Sequence, residues 1–481
     1  MLKRRDALVA GLFGSGLLGL RAIATGLPAW YIANPRTATA QDLSCAVENL
    51  DNAQFLIVSA NFNGDPINCN CPGTYEDPAA VHPTQDAMLP TAVQLGSTTY
   101  QAALPWALTD NGGKLSAETL SRINFFHYRT GSVVHGDQAK VLKMMGGTNR
   151  GEMLPSIYSK HLAACLGTVQ ADPISIGAGR NAAELLSFEG RPAANVSPTS
   201  LKAMLGGATA GGMMGGGPGG MRPGGNGAGA LRSLRQLRDT TLDQLNALAK
   251  ESSTPIQSQF LDTLANSQTR VRELTESLSS TLSAISGNDA EGQARAAAAL
   301  FLAKVTPAVS IRLAFGGDNH SDSSLQAEAD QHVTGIESIQ TVMNVLAELG
   351  LSDKVTFAVL NVFGRNLNGS KAESRAGRDH YANHAVSVLI GKNIAPGVTG
   401  GIAMGTGGGF GGGATALAAA HIDSNTGRPA SDGDIPSSET YGALARTLGV
   451  ALGIPSTALE ADFNASAGGK VVSPTLNGVT G

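Results

Sequence analysis

Phe55–Ala60 (Phe-Leu-Ile-Val-Ser-Ala) is a nearly unbroken apolar run, closed by Asn61-Phe62-Asn63-Gly64-Asp65. A short apolar run ended by turn residues reads as a strand buried on both faces, with the loop at its carboxyl end. Ile123–His127, Val309–Phe315, Val355–Leu360 and Val386–Ile390 repeat the pattern, and Val309–Phe315 runs into Gly316-Gly317-Asp318-Asn319-His320. Apolar residues recur at helical spacing through Leu325–Leu349, stopped by Gly350, and through Tyr441–Leu452, capped by Gly453 ahead of Pro455. Strands alternating with helices predict an α/β fold with a mainly parallel sheet and helices on both faces. In such sheets ligand sites gather beyond the carboxyl ends of the strands.

Between the second and third runs the pattern changes. Gly206–Gly229 is rich in Gly, Met and Ala and specifies no packed element, so a flexible loop is expected. Leu231–Ala249 and Gln259–Ile285 then carry leucines at helical spacing, broken near Pro255, which predicts an antiparallel helical pair or a lid. Residues 206–305 thus read as a loop plus helical insertion within a single domain spanning 41–481. A second tract, Gly397–Gly413, contains Gly407-Gly408-Gly409-Phe410-Gly411-Gly412, nominally GxGxxG. No run of strand type leads into it and no acidic ribose partner follows, so a mobile surface loop is expected rather than a dinucleotide site.

Residues 1–40 change the picture of where the chain works. Lys3-Arg4-Arg5-Asp6 precedes the apolar stretch Ala7–Leu20, and Ala38-Thr39-Ala40 offers a small-residue cleavage site before Gln41. The paired arginines predict export of the folded protein by the twin-arginine route to the periplasm or cell exterior. Arg21, Gly26 and Pro28 count against a lasting membrane span. Removing these residues takes out five basic groups and one acidic group, so the net charge of −4 becomes −8. That balance gives no electrostatic footprint for nucleic acid or an anionic membrane surface. The cysteines are Cys45, Cys69, Cys71 and Cys165. In an oxidising compartment Cys45 with Cys69 or Cys71 would tie the new N-terminus to the first loop; free buried thiols are the other reading.

Polar clusters follow the apolar runs. They are Asn63-Gly64-Asp65, Ser132-Val133-Val134-His135-Gly136-Asp137, Asp318-Asn319-His320, Asn361-Val362-Phe363-Gly364-Arg365, and Asp379-His380-Tyr381-Ala382-Asn383-His384. Carboxylates and imidazoles from separate strand ends can converge on one divalent ion, with zinc, manganese or iron suiting such donors. Asp65, Asp318, His320, Asp379, His380 and His384 are the candidate ligands.

Here the chain resembles the exported bacterial proteins known as domain of unknown function 1501. Asn361-Val362-Phe363-Gly364-Arg365 is similar to that family's Ser-Glu-Phe-Gly-Arg signature. Gly317-Asp318-Asn319-His320 resembles its Gly-Trp-Asp-Thr-His, and Gly377-Arg378-Asp379-His380 its Gly-Thr-Asp-His. Gly64-Asp65-Pro66-Ile67-Asn68 is similar to its Asp-Gly-Leu-Asn, and His135 falls where the family has Ser-His-Phe. The shared order spans most of residues 50–460. The resemblance implies the alkaline-phosphatase and sulfatase superfamily, whose members bind two metals at strand ends and hydrolyse phosphate or sulfate esters. This chain has Val362 for the signature glutamate, Val134 for the serine and Gly317 for the tryptophan. Thr130 or Ser132 would have to substitute for a missing nucleophile.

Two functions follow as expectations. One is a metal-dependent hydrolase of phosphate or sulfate esters in the cell envelope. Asp318, His320, Asp379 and His380 would hold one ion, a metal-activated water would be the nucleophile, His135 the acid or base, and Arg365 the clamp on the anion. The other is a non-catalytic exported protein that keeps the scaffold and binds a ligand or envelope partner through its helical insertion and Gly-rich loops.

Overall fold

The structure, a computed structural model, describes residues 45, 47, 50–61, 63–64, 66–168, 173–177, 187–188, 191–192, 195–206, 240–251, 253–273, 275–313, 315, 317–368, 377–404 and 417–480. The expected export signal, Asp65, nearly all of the first glycine tract and the GxGxxG-like segment lie outside these residues.

Eight strands form the main sheet: β1 (Phe55–Asn61), β2 (Ile123–Tyr128), β3 (Ile174–Ile176), β4 (Asn195–Val196), β5 (Ala308–Ile311), β6 (Val355–Asn361), β9 (Ala385–Ile390) and β10 (Gly397–Thr399). A separate two-stranded ribbon, β7 (Gly364–Arg365) with β8 (His380–Tyr381), lies between β6 and β9 in sequence. The sheet order is β10-β2-β9-β6-β1-β5-β3-β4. β1 pairs in parallel with β6 from Phe55↔Val355 to Asn61↔Asn361, and with β5 on its other side. Within the sheet β9 runs against its neighbours, pairing antiparallel with both β6 and β2.

The apolar runs are continuous because both faces of the sheet are covered. Ile57, Phe357 and Val359 point into one core with the helices α2 (Ala290–Leu302) and α3 (Gln326–Glu348). Leu56, Val58, Ala358 and Leu360 point into the other, against α1 (Leu154–Leu162) and α4 (Thr440–Ala451). Successive strand residues alternate between the two cores, as the two-residue strand period requires. The expected α/β class with a mostly parallel sheet and helices on both faces is therefore present.

Three expectations need correction. Cys45 pairs with Cys165, not with Cys69 or Cys71, which are buried free thiols. Gly397–Thr399 is an edge strand of the main sheet, and Ile402–Met404 pairs with Leu417–Ala419, so the described first part of the second glycine tract forms strands. The helical region continues into the core: Leu278, Leu282 and Ile285 are buried beside α2, and α2 itself is a structural layer of the sheet. Its earlier part stays outside, with Leu245 and Leu248 of the helical segment 240–251 being 55% and 61% exposed. Among the described residues, no helix is long and apolar enough to cross a membrane.

Candidate metal centre

The loops leaving β2, β5 and β6 all emerge at the carboxyl edge of the parallel strands, where they carry His135, Asp318 with His320, and Phe363 with Arg365. Asp379 and His380 do not follow a strand as expected. They precede β9, and because β9 is antiparallel its beginning lies at that same edge. The ribbon register then sets Arg365 opposite His380. Gly377 closes the gap between two loops: its N–H donates to His320 O at 2.9 Å, and a Cβ there would stand 2.0 Å from Asn319 O.

His135, Asp318 and His380 each bring one ligating atom to within 4.8 Å of the others, close enough to share one ion. The distance from His135 Nε2 to Asp318 Oδ2 is 3.4 Å, and that from His380 Nε2 to Asp318 Oδ1 is 3.0 Å. His320 lies beside two of them, its Nε2 being 2.9 Å from Asp318 Oδ1 and 3.0 Å from His380 Nε2. Ligands 2.0–2.1 Å from a tetrahedral zinc stand roughly 3.3 Å apart, so these spacings fit a shared ion. Asp318 remains 45% exposed, which leaves the group open on its solvent side.

A hydrogen bond behind His380 aims its ring. His380 Nδ1 lies 2.7 Å from Val133 O, and a carbonyl can only accept, so the proton is assigned to Nδ1 and the Nε2 lone pair faces the group. His320 Nδ1 lies 3.3 Å from Asp379 Oδ1. Asp379 is buried, its own N–H donating to Asn366 Oδ1 at 2.9 Å. Asp318 Oδ1, His320 Nε2 and His380 Nε2 thus stand 2.9–3.0 Å from one another.

Burial opposes ionisation of Asp318, but the bond it accepts from His380 when that ring carries both protons and the charges of Arg365 and His320 outweigh it and lower the pKa to about 2. Burial lowers the pKa of His380, with Asp318 and the Val133 carbonyl pulling the other way. A charged carboxylate beside a neutral imidazole is the protonation state that a divalent ion requires.

The other expected site residues divide clearly. Asp379 stands behind His320 in the position of a carboxylate that orients a ligand, not of a ligand itself. His384 is not at the group. It is wholly buried, its Nδ1 3.1 Å from Asn68 Nδ2 and its Nε2 3.0 Å from His127 Nδ1. Arg365 does not face solvent as an anion clamp: its side chain is 2% exposed, and Nη2 donates to Asn63 O (2.7 Å), Gly317 O (2.9 Å) and Asp318 Oδ1 (3.2 Å). It ties three loops together and balances the Asp318 charge. Thr130 and Ser132 are buried, Thr130 Oγ1 donating to Ala382 O at 3.3 Å and Ser132 Oγ to Asp137 Oδ2 at 3.1 Å. Neither hydroxyl is directed at the group.

Sequence reasoning missed the supports of this centre. Arg378 and Glu328 form a buried ion pair at 2.6 Å, and Arg378 also donates to the carbonyls of Val81, Asn366 and Leu367. Phe363 stacks on His380 with ring centroids 4.1 Å apart. The adjacency of Arg378 to Asp379-His380 was the available signal for the first, and Phe363 inside the signature-like segment for the second. No protein-family model matches the sequence, and no curated protein matches it.

Proposed function

We propose that this chain is an exported metal-dependent ester hydrolase with an alkaline-phosphatase-like scaffold, acting on small phosphate or sulfate esters in the cell envelope. The observation that carries the reading is the convergence of His135, Asp318 and His380 on one open point at the carboxyl edge of the sheet. His135, Asp318 and His380 are the ligands, and His320, backed by Asp379, is the fourth donor. Nitrogen-rich donors with one carboxylate suit zinc or iron better than magnesium or calcium. A divalent ion bound there would supply Lewis acidity and an acidified water. The protein's own part is to keep Asp318 ionised through Arg365, to hold His380 through Val133, and to leave the solvent side of Asp318 open. The Cys45–Cys165 disulfide and the Lys3-Arg4-Arg5 start support work in an oxidising compartment.

A second reading, a non-catalytic exported protein that uses the ion to brace its loops, is favoured by one observation. No side-chain hydroxyl among the described residues at these strand ends is aimed at the group, and Arg365 is consumed by carbonyl oxygens. The two readings part on turnover. The zinc- or iron-loaded protein should hydrolyse nitrophenyl phosphate or sulfate, and Asp318→Asn should abolish that activity. A stoichiometrically loaded protein that turns over neither ester would leave the bracing role in its place.

A further inference from the structure

Phe363 lies between β6 and the ribbon and is wholly buried. Its ring stacks on His380 at 4.1 Å and 23°, and meets the His135 ring at 5.1 Å and 66°. Those two imidazoles stand 4.5 Å apart and nearly perpendicular, at 86°. Behind the aromatic ring lies Gly64, with φ +66°; a Cβ there would stand 2.2 Å from Phe363 Cε2. The ring is thus seated on bare backbone on one side and carries His380 on another.

A bond at Nδ1 fixes one point of an imidazole but leaves the ring free to tilt, because the terminal side-chain torsion of histidine is broad. A flat aromatic contact removes that tilt. The contact also responds to loading, since an imidazole bound to a cation is more positive and is drawn more strongly to an aromatic face. We infer that Phe363, seated on Gly64, is a positioning residue that sets the affinity of the centre for a divalent ion by holding His380 and His135 in ligating pose. The inference rests on the metal reading above.

The test uses the full chain, with zinc as the probe. Zinc affinity is measured by competition with a chromophoric chelator, and melting is followed with and without zinc, for wild type, Phe363→Leu and Gly64→Ala. Both substitutions should weaken zinc binding roughly 10–100-fold, the range for groups that orient metal ligands. The zinc-induced rise in melting temperature should shrink accordingly. Unchanged zinc affinity in both variants, with only the metal-free melting temperature lowered, would mean that Phe363 is ordinary core packing and would overturn the inference. If Phe363→Leu does not fold, Phe363→Met, which fills similar space without an aromatic face, decides in its place, because Gly64→Ala also strains a backbone at φ +66°. A wild type that binds neither zinc, manganese nor iron defeats the metal reading and this inference together. A wild type that binds while both variants bind equally well removes only the role of Phe363.

Discussion

Asp318 is the residue on which the centre turns, because His135, His320, His380 and Arg365 all contact its carboxylate. Its pKa is lowered to about 2 in the folded protein, against about 3.9 for an unfolded chain. A depressed carboxylate pKa means that folding favours the ionised form. The stability it contributes is present above about pH 4 and is lost as pH falls towards 2. In chelator, wild type should therefore have a higher urea midpoint than Asp318→Asn at pH 6, and the difference should narrow as pH drops to about 3. The effect is small, since the carboxylate is half exposed and screened by solvent. A difference that stays constant with pH would show that its neighbours do not hold the carboxylate ionised.

At the scale of elements, the centre depends on how α3 and the ribbon are fastened. Glu328, in the first turn of α3, meets Arg378 just before β8, and both are nearly inaccessible, with side chains 2% and 1% exposed. Glu328→Ala leaves a buried guanidinium without its carboxylate, a loss of about 3–5 kcal/mol. Urea unfolding of the metal-free protein measures it, and a loss below about 1 kcal/mol would mean that the carbonyls around Arg378 suffice alone. The strands β1 and β6 were legible in the sequence because burial on both faces leaves an apolar run with no competing signal. The direction of β9 was not, since an apolar run carries no polarity, and that direction is what brings His380 to the site. His380 and His384 lie four residues apart in one polar segment and differ only in what surrounds them. The fold buries one against Asn68 and His127 and turns the other towards Asp318. Arg365 was likewise legible as a functional position but not as a buried one, because its partners are backbone carbonyls that no side-chain motif displays. Disulfide connectivity was hidden for a similar reason: Cys45 and Cys165 are 120 residues apart, and spacing does not determine pairing.

For the molecule as a whole, the parallel strands and the single reversed strand deliver three separate loops and one ribbon to the same edge of the sheet. Two cores, one on each face, hold that edge in place, and the disulfide joins the start of the described chain to the end of α1's layer. The reading of an exported metal-dependent hydrolase stands or falls on whether the assembled centre binds an ion. The most direct measurement is the metal content of the protein purified without chelator, by plasma emission spectroscopy, beside an Asp318→Ala/His380→Ala double variant that retains its fold by circular dichroism. One equivalent of zinc, iron or manganese in wild type and none in the double variant is the expected result. A metal-free wild type that takes up no ion on addition, or a double variant that keeps its metal, would contradict it.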